Sequence, residues 1–536
     1  MAAIAGTITP VITDDRFDTL DPEQMRQVLL ELMAEVARKD EIIAQRQREA
    51  QVKQATIDKL TYEIAQLKRL RYGAKSEHFD PGQKLLFDED IDADIAAVEA
   101  QLEALKASVP RNSEPKQKPK RTALPAHLPR RDVHHEPEDT NCRCGCAMKR
   151  IGEDVSEKLD YTPGVFTVER HVRGKWACSH CRTLVQAPVP AQIIDKGIPT
   201  SGLLAHVAVA KHNDHLPLYR QEPIFGRAGL AIPRSTLAAW LGQCGVRLQP
   251  LVDALKAELL RCAVLHADET PVGMLAPKTG KVHKAYLWAY ASGPMESIKA
   301  VVYDFAISRA GEHARAFLGH DDEEHKEKRW LGSLVCDDYV GYSALFRQGV
   351  TEVGCVAHAR RYFFKLHVTN KSTLAEKALE YFGLLYDVES LIKDKSAQER
   401  LEKRRELAVP IANALLKWLK AEREHVTDGT ATATAFDYSL NRWAALTRYL
   451  NDPALPIDNN HDEQQIRPWS TGRKNWLFAG TLQAGKRAAA ITSLIQSAKL
   501  NGHDPYAYLK DVLTRLPTQR ASEIDALLPH RWKPAS

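Results

Sequence analysis

The sequence lacks an apolar run of the length that a membrane-spanning helix needs, about 18 residues. Its first residues, MAAIAGTITPVITDD, also lack the basic start and the sustained apolar stretch of a signal peptide. We therefore expect a soluble, cytoplasmic protein without a membrane span.

Cysteine is scarce, and charge of neither sign strongly dominates. Nine cysteines in 536 residues do not suggest a secreted disulfide scaffold. The formal net charge of +5 permits a nucleic-acid partner without requiring one, because the distribution of charge matters more than its total. The chain is too long for one hydrophobic core, so roughly three or four domains are expected.

Residues 22–75 carry a heptad repeat. One seam position is aliphatic throughout, at Leu29, Val36, Ile43, Ala50, Ile57 and Ile64. The second seam position holds leucine at its ends and cations at its three middle sites, in the order Leu32, Lys39, Arg46, Lys53, Leu60 and Leu67. The pattern predicts a coiled coil that associates with further copies of the chain. A single helix packed on its own protein is the alternative.

Residues 108–137 combine six prolines with an excess of lysine and arginine. Proline prevents a regular helix and the segment has little to bury, so it is predicted to be an extended, mobile linker. It would act as a solvated spacer, as a basic strap that neutralises DNA phosphates, or as both.

Five cysteines fall in two clusters within residues 138–195, at Cys142, Cys144, Cys146, Cys178 and Cys181. The second cluster has the CxxC spacing of a zinc knuckle, and the first is compressed. Two thiolates from each cluster would complete a tetrahedral structural zinc site. The spacing leaves open which two of the first three cysteines bind.

Residues 200–250 are predicted to be helical, with a turn at Gly229 and a cap from Ser235 or Thr236. Short helices around such a turn resemble a helix-turn-helix, so contact with DNA is one reading of this segment. An ordinary helical hairpin is the other reading.

From residue 260 the pattern changes to strands. Three closely spaced strands, a helix, a strand and a further helix fill residues 260–370, as in an α/β ribonuclease-H-like core. Residues 371–450 are predicted to be a helical insertion, and 451–515 return to the core. A C-terminal tail follows at 516–536.

Carboxylates lie at the predicted ends of two strands and on a later helix of this core, at Asp268, Asp337 and Glu463. Such a cluster suits Mg²⁺, which prefers oxygen ligands and acts in phosphoryl transfer, often as a pair of ions. Glu269 and Asp338 are adjacent alternatives. Neighbours in a strand point to opposite faces, so at most one member of each pair is expected at the site.

Several motifs in order give the chain a specific resemblance. They are LKRLRYGAKSEHF, IGEDVSEKLDY, SGLLAHVAVAKHNDHLPLYRQE, HADET, GCVAHARRYFF, DNNHDEQQIRPWSTGRKNWLFAG, SLIQSAKLNGHDPYAYL and IDALLPHRW. Over nearly its whole length the chain resembles the transposase of the insertion-sequence 66 family, the large protein of these bacterial elements.

The resemblance implies a catalytic triad of Asp268, Asp337 and Glu463 with Mg²⁺ or Mn²⁺. It also implies action on the terminal inverted repeats and on target DNA, association with the bacterial nucleoid, and companion proteins from the same element. Two departures stand out. Asp338 replaces the glycine that usually follows the second acid, and Asn141 stands where the first knuckle cysteine would fall.

Basic and aromatic residues accompany the third acid. The cations expected to hold DNA phosphates are Arg360, Arg361, Arg467, Arg473 and Lys474. Trp469 and Trp476 are expected in the core, with stacking on an unpaired base as the alternative. Cys355 and His358 are spaced like metal ligands but lack a second pair, so they are read as structural.

The predicted function is DNA transposition: metal-dependent strand cleavage at the element ends, followed by attack of the freed 3′-hydroxyl on target DNA. One alternative is a ribonuclease-H-like nuclease or junction resolvase that cuts without strand transfer. Another is a DNA-binding regulator with an inactive catalytic domain.

Overall fold

A computed structural model describes residues 22–72, 81–107, 124–144, 146–162, 164–195, 197–276, 281–322 and 324–534. The described residues fall into two compact units. One lies within Met1–Gln66 and Gln101–Ser113, and the other lies within Leu67–Ala100 and Glu114–Ser536. In the described part of the chain, no helix has the length and apolarity needed to cross a membrane.

The first helix, α1 (Pro22–Tyr72), is continuous over 51 residues, a length of about 76 Å at 1.5 Å per residue. Its predicted seam residues Val36 and Ile43 are 54% and 52% exposed, whereas Leu60 is buried. The helix is therefore as predicted, and its pairing with a further copy stays a prediction. A second helix, α2 (Pro81–Ala107), occupies a segment for which the sequence analysis made no prediction.

A four-stranded sheet follows, with strands β1 (Arg130–His135), β2 (Met148–Thr162), β3 (Val165–Cys178) and β4 (Leu184–Gln186). Strands β2 and β3 form a long antiparallel hairpin, while β1 and β4 both pair with β3. The long strands bring Cys178 opposite Met148, close to the first cysteine cluster.

Strand β1 corrects the linker prediction for the last part of residues 108–137. Arg130–His135 pairs in parallel with β3 instead of staying extended and mobile. Arg130 binds Glu157 at 2.8 Å, and Arg131 forms an ion pair with Glu169. These two guanidinium groups are thus held by β2 and β3, because the strand places them beside carboxylates. Residues 108–123 lie outside the described residues.

Three helices form the next segment, α3 (Ser201–His212), α4 (Leu218–Arg227) and α5 (Arg234–Leu259). The predicted turn is present, with Gly229 at a φ of 100°, a conformation that favours glycine. The predicted cap is wrong, because α5 begins at Arg234 after Pro233 and no side chain caps it. Helices α3 and α5 bury long apolar faces in the main core. They are therefore core elements of the large unit, which counts against a separate helix-turn-helix module.

The central sheet contains β5 (Val264–Ala276), β6 (Lys281–Ser292), β7 (Val301–Ala306), β8 (Ser333–Cys336) and β9 (Thr351–Gly354). Its order is β7-β6-β5-β8-β9. Strand β6 runs antiparallel to its neighbours β5 and β7, whereas β8 and β9 run parallel to β5. The short helices α6 (Glu312–Phe317) and α7 (Ser343–Arg347) lie in the connections.

Helices fill the chain between β9 and residue 450. They are α8 (Val356–Asn370), α9 (Thr373–Ile392), α10 (Ala397–Lys403), α11 (Val409–Arg423), α12 (Ala431–Asn441) and α13 (Trp443–Leu446). A single π-helical turn, Arg404–Ala408, joins α10 to α11. These helices share an apolar core with Val335 and Val353 of the central sheet, so the predicted helical insertion packs directly on the strand edge.

The chain then returns to the sheet through α14 (Asn460–Trp476), β10 (Phe478–Ala479), α15 (Leu482–Leu500) and α16 (Pro505–Arg515). Strand β10 pairs in parallel with Gly273 and Met274 of β5. The last residues are not a free tail, since Leu527, Leu528 and Trp532 are buried in the main core.

Candidate functional site

The first predicted acid, Asp268, lies within β5 and not at its end. Strand β5 continues to Ala276 because β6 pairs with its whole length. On the other side, β8 pairs with β5 only from Val264 to His266. Asp268 therefore lies just beyond the end of β8, and Asp337 follows Cys336, the last residue of that strand. The end of β8 is the feature that brings the two aspartates together.

The third predicted acid, Glu463, lies in the first turn of α14. Asn459, just before this helix, fixes its position on β5. The side chain of Asn459 donates to the carbonyl oxygen of Ala267 at 3.0 Å, and its Oδ1 lies 2.6 Å from Nδ1 of His266. Because these bonds are made to the two residues before Asp268, they hold the start of α14 beside that acid.

The electrostatics of Asp268 reflect this convergence. The pKa of Asp268 is raised to about 8. Burial is the main cause, and the neighbouring carboxylates of Glu269, Asp337 and Glu463 contribute to the same rise. The backbone N–H of Glu269 donates to Oδ1 of Asp268 at 2.8 Å and opposes the shift. Clustered acids of this kind repel one another until a cation neutralises them.

A fourth carboxylate, Asp462, was missed by the sequence analysis. It is fully buried, and neither of its oxygens has a hydrogen-bond partner among the described residues. Burial raises the pKa of Asp462 well above its ordinary value, and Asp268, Glu269 and Glu463 add to the shift. An unpartnered buried carboxylate is costly, and an adjacent cation would relieve that cost.

The carboxylate of Glu269 is bound by other side chains of the protein. Its carboxylate accepts hydrogen bonds from Arg309 Nε at 2.7 Å and from the hydroxyl of Tyr342 at 2.8 Å. Arg309 also reaches to 3.9 Å from Asp337 and lies 4.0 Å from the ring centroid of Tyr339. Glu269 thus has protein partners for both oxygens, whereas a backbone N–H is the donor found for the carboxylate of Asp268 among the described residues.

The second pair of alternatives differs in burial. Asp337 is half-buried and contributes to the raised pKa values of both Asp268 and Glu269. Asp338 is exposed to solvent. The geometry therefore favours Asp337 as the member of this pair that faces the acid cluster.

Helix α8 places two basic side chains beside Glu463. Arg361 Nη2 lies 3.3 Å from Glu463 Oε1, and His358 Nδ1 lies 3.9 Å from the same oxygen. Burial lowers the pKa of His358, and Arg361 lowers it further. Cys355 is buried and its Sγ accepts the backbone N–H of Asn459 at 3.2 Å, which agrees with the structural reading of this cysteine.

The other predicted DNA-binding residues differ in whether their side chains are exposed or bonded to the protein itself. Arg360, Arg467 and Lys474 are exposed. Arg473 instead donates to the backbone oxygen of Pro271 at 2.8 Å and to the hydroxyl of Thr270 at 3.2 Å. Its guanidinium group therefore joins α14 to β5, a role that the sequence motif does not reveal.

The two tryptophans of α14 pack against each other, with ring centroids 5.4 Å apart and planes at 84°. Trp469 is buried and also contacts Tyr303 of β7. Trp476 is half-buried beside the same core. The expected core role of Trp469 fits this packing.

The cysteines form a separate cluster on the small sheet. Ligand atoms of Cys142, Cys144, Cys178 and Cys181 all lie within 4.8 Å of one another. The Sγ atoms of Cys144 and Cys178 are 3.6 Å apart, and those of Cys144 and Cys181 are 3.9 Å apart. The Sγ atoms of Cys142 and Cys181 are closer, at 3.0 Å. Tetrahedral zinc with Zn–S bonds of about 2.3 Å separates its sulfurs by about 3.8 Å, so two of these spacings match the ion and the Cys142–Cys181 pair would open by about 0.8 Å around it.

The cluster also selects among the first three cysteines. Cys146 lies outside the four-thiol group and packs with the apolar residues around Met148. Hydrogen bonding by Cys142 lowers the pKa of Cys181 to about 6, and the backbone N–H of Cys181 lowers the pKa of Cys178. Both effects favour the thiolate form that binds metal. Hydrogen bonding to Cys181 raises the pKa of Cys142 to about 11, and burial raises that of Cys144, so these two thiols would lose their protons when metal binds.

The large unit is thus an α/β domain with an acid cluster beside its central sheet and a four-cysteine cluster on an attached sheet. Comparison with sequence profiles of known families agrees with this class. The matching profiles are those described as Transposase IS66 family (residues 196–487), IS66 C-terminal element (493–530), Transposase C of IS166 homeodomain (59–133) and zinc-finger binding domain of transposase IS66 (139–182). The chain therefore belongs to the IS66 transposase family.

Similar full-length proteins occur in Sinorhizobium fredii (strain NBRC 101917 / NGR234). The uncharacterized protein y4qI is 35% identical over 494 residues, which cover 89% of each chain. The uncharacterized protein y4jD is 35% identical over 500 residues, covering 88% of this chain and 94% of its own. The uncharacterized protein y4hP is 31% identical over 444 residues, or 78% of each chain.

Proposed function

We propose that this protein is the DNA transposase of its element, which cleaves a strand at the element ends and transfers it to target DNA. Membership of the family supports transposase activity. The observation that carries the catalytic assignment is that Asp337 and Glu463, both distant in sequence, lie close enough to Asp268 to raise its pKa. The ligand atoms of the three acids do not all lie within 4.8 Å of one another in the described structure, so binding of an ion would draw them closer.

We also propose a ribonuclease-H-like fold for the catalytic core. Three antiparallel strands followed by two strands parallel to the first, in the order β7-β6-β5-β8-β9, support this assignment. In this arrangement the first strand lies at the centre of the sheet. An acid on it meets an acid that follows the fourth strand, as Asp268 and Asp337 do.

The carboxylates of the acid cluster have the donor chemistry of a site for a hard divalent cation, Mg²⁺ or Mn²⁺. Asp268, Asp337 and Glu463 would be its ligands, because carboxylate oxygens suit such ions and because Asp268 lacks a side-chain donor among its described hydrogen bonds. The buried Asp462 has no hydrogen-bond partner among the described residues, and its raised pKa means that it would add negative charge to the cluster only once a cation is bound. When bound, the ion supplies activation of the attacking oxygen and neutralises charge at the scissile phosphate.

The chain's own residues would position the DNA and the third acid. Arg360 on α8 and Arg467 and Lys474 on α14 are exposed, so they can bind phosphates. Arg361 pairs with the carboxylate of Glu463 from the side of α8 at 3.3 Å, and His358 lies 3.9 Å from the same carboxylate. Asn459 fixes the start of α14 on β5, so it sets the separation of Glu463 from Asp268.

The four-cysteine cluster is assigned a structural zinc ion. Four thiols at mutual distances that suit tetrahedral coordination form a closed site without an open position for substrate. The ion would join the loop before β2 to the end of β3. Recognition of the terminal repeats by this sheet, and a need for companion proteins of the element, are parts of the same proposal.

The proposal is tested by transposition of a marked element in cells, with the neighbouring reading frames of the element supplied in trans. We expect insertions with the wild type and none with Glu463→Gln at equal protein level. Gln464→Ala is the matched control, since Gln464 is the exposed next residue of α14, and it should keep activity. Equal transposition by wild type and Glu463→Gln would overturn the assignment of the third acid.

The products distinguish transposition from the rival functions. With purified protein and DNA that carries an element end, a transposase yields strands joined to target DNA. A nuclease or resolvase would yield cut but unjoined strands. A DNA-binding regulator would bind the ends, produce neither, and retain its cellular effect after Asp268→Ala.

A further inference from the structure

The free face of α1 carries an unusual seam. Val36 and Ile43 expose more than half of their surface, although both occupy the aliphatic heptad position. Between and after them, the second seam position is cationic at three consecutive sites, Lys39, Arg46 and Lys53. All three cations are exposed in the single chain. An apolar stripe of this kind on a long helix calls for a partner helix.

A parallel pairing of two copies would stack these cations. In a parallel two-stranded coil in register, each residue of the second seam position faces the same residue of its partner. Lys39, Arg46 and Lys53 would then form three consecutive layers of like charge, spread over about 21 Å of helix. Such layers bring six positive charges into the seam, where they repel one another.

An antiparallel pairing removes this repulsion. Each residue of the second seam position then faces a residue of the aliphatic position on the other helix. In the registers that keep the three cations within the seam, Lys39, Arg46 and Lys53 meet aliphatic side chains from the set Leu29, Val36, Ile43, Ala50, Ile57 and Ile64. The stems of Lys and Arg cover apolar surface while their charges extend to water, so every layer of the seam is compatible.

The charges beside the seam agree with this arrangement. Lys39 Nζ lies 2.8 Å from Glu35 Oε1 on its own helix. Glu35 occupies the position that flanks the aliphatic seam residue Val36, so it draws the ammonium group outward and leaves the stem of Lys39 free for packing. Glu49 flanks Ala50 in the same way.

We propose that α1 binds α1 of a second copy of this chain in antiparallel orientation. This inference rests on the self-association expected for the proposed transposase and adds the relative orientation of the two helices. In such a pair the two helices leave the shared seam in opposite directions. The chain segments that follow the two α1 helices therefore depart from opposite ends of the pair, and each copy is free to engage a separate DNA end.

Orientation is measured directly with spin labels on the full-length protein. A ketone-bearing unnatural residue at Ala34 or at Ala55, both exposed and on the outer face of the heptad, takes a nitroxide without labelling the native cysteines. In an antiparallel pair the axial separations at the two sites add up to about 63 Å or more in any register, since the sites are 21 residues apart. In a parallel pair both axial separations are close to zero.

Subunit mixing gives an independent test. The variant Lys39→Glu/Arg46→Glu/Lys53→Glu is mixed with differently tagged wild type, and native mass spectrometry counts the pairs. Antiparallel pairing predicts a near-statistical distribution, because charges face aliphatic residues in every combination. Parallel pairing predicts an excess of mixed pairs of about tenfold or more, since opposite charges would then meet in three layers.

Short separations at both labels, an excess of mixed pairs, or a monomeric chain at micromolar concentration would each overturn the proposal. The readouts do not depend on catalysis. The Glu463→Gln protein should show the same label separations as wild type, so a failed transposase assignment leaves this test intact.

Discussion

The acid cluster and the cysteine cluster are both candidate metal sites, but they are assembled in different ways. The four thiols come from one small sheet, with two on either side of the β2–β3 hairpin. The acids come from β5, from the residue after β8 and from the start of α14. One site therefore depends on a local hairpin, whereas the other requires the whole central sheet and the helix that returns to it.

The two clusters also differ in how strongly the protein favours the charged form of their ligands before metal binds. In the cysteine cluster, hydrogen bonds from neighbouring thiols and backbone N–H groups lower the pKa of Cys178 and Cys181, whereas the pKa values of Cys142 and Cys144 are raised, so two of the four ligands already favour thiolate. In the acid cluster, burial disfavours charge on Asp268 and Asp462. Metal should thus contribute mainly to folding at the cysteines and mainly to reactivity at the acids, a difference that substitutions can test.

The largest expected effect separates the two adjacent acids after β8. Asp337→Asn should lower transposition by about 1000-fold or more, because loss of a metal ligand removes several kcal/mol of transition-state stabilisation and each 1.4 kcal/mol is tenfold. Asp338→Asn, at the exposed neighbour, should keep activity within about tenfold. The measurement is insertion frequency at matched protein level. Loss of activity with Asp338→Asn alone would reverse the assignment.

The cysteine cluster is tested by a second matched pair. Cys144→Ser should remove zinc and destabilise the small sheet by roughly 3 kcal/mol or more, since a structural site contributes directly to folding. Cys146→Ser should retain about one zinc per chain, because Cys146 lies outside the four-thiol group. Metal analysis and limited proteolysis of residues 124–195 measure both. If Cys144→Ser retains zinc and Cys146→Ser loses it, Cys146 and not Cys144 is the zinc ligand.

A smaller effect concerns pH. The pKa of Asp268 in the folded protein is about 8, above the ordinary value of about 3.9 for an unfolded chain. The folded state therefore binds this proton more tightly, and its contribution to stability is complete below about pH 4 and lost as pH rises through about 8. Without divalent metal, stability should fall across this range by about 2 kcal/mol from this group after discounting for solvent.

Thermal unfolding in EDTA measures this fall. Asp268→Asn should show a flatter dependence on pH than wild type, while Asp338→Asn should follow wild type. Added Mg²⁺ should raise the unfolding temperature more at pH 8 than at pH 6, because it neutralises the ionised cluster. If the unfolding temperatures of wild type and Asp268→Asn depend on pH in the same way, Asp268 is not the group that causes the loss of stability.

Much of this comparison could be predicted from the sequence. The apolar runs that precede Asp268 and Asp337 indicated strands, and the CxxC spacing at Cys178 and Cys181 indicated metal. The end of Asp268's strand was misjudged, because the pairing with β6 that extends β5 to Ala276 is a long-range property. The choice between Cys144 and Cys146 likewise depends on how the loop before β2 folds back, which spacing alone does not determine.

Other elements depended on tertiary contacts that leave no local pattern. Strand β1 lies in a Pro-rich, basic segment and forms because β3 offers an edge and acidic partners. In the sequence, Asp462 looks like an ordinary polar residue in the first turn of a helix. Its burial, which only the fold reveals, distinguishes it from such residues. Arg473 belongs to a basic run that suggested DNA, but its bonds to Thr270 and Pro271 are visible only in the fold.

The smallest expected effect separates Arg467 from Arg473 on α14. Arg467 is exposed, so Arg467→Ala should weaken DNA binding a few-fold and reduce the salt slope of the affinity by about 1, the change for one lost phosphate contact. Arg473→Ala removes two bonds to β5, so it should lower stability by about 1 kcal/mol and leave the salt slope unchanged. Binding titrations at several salt concentrations, with unfolding curves for both variants, measure the contrast. A reduced slope with Arg473→Ala and not with Arg467→Ala would mean that DNA displaces Arg473 from β5, and the acid cluster would then be coupled to DNA binding through α14.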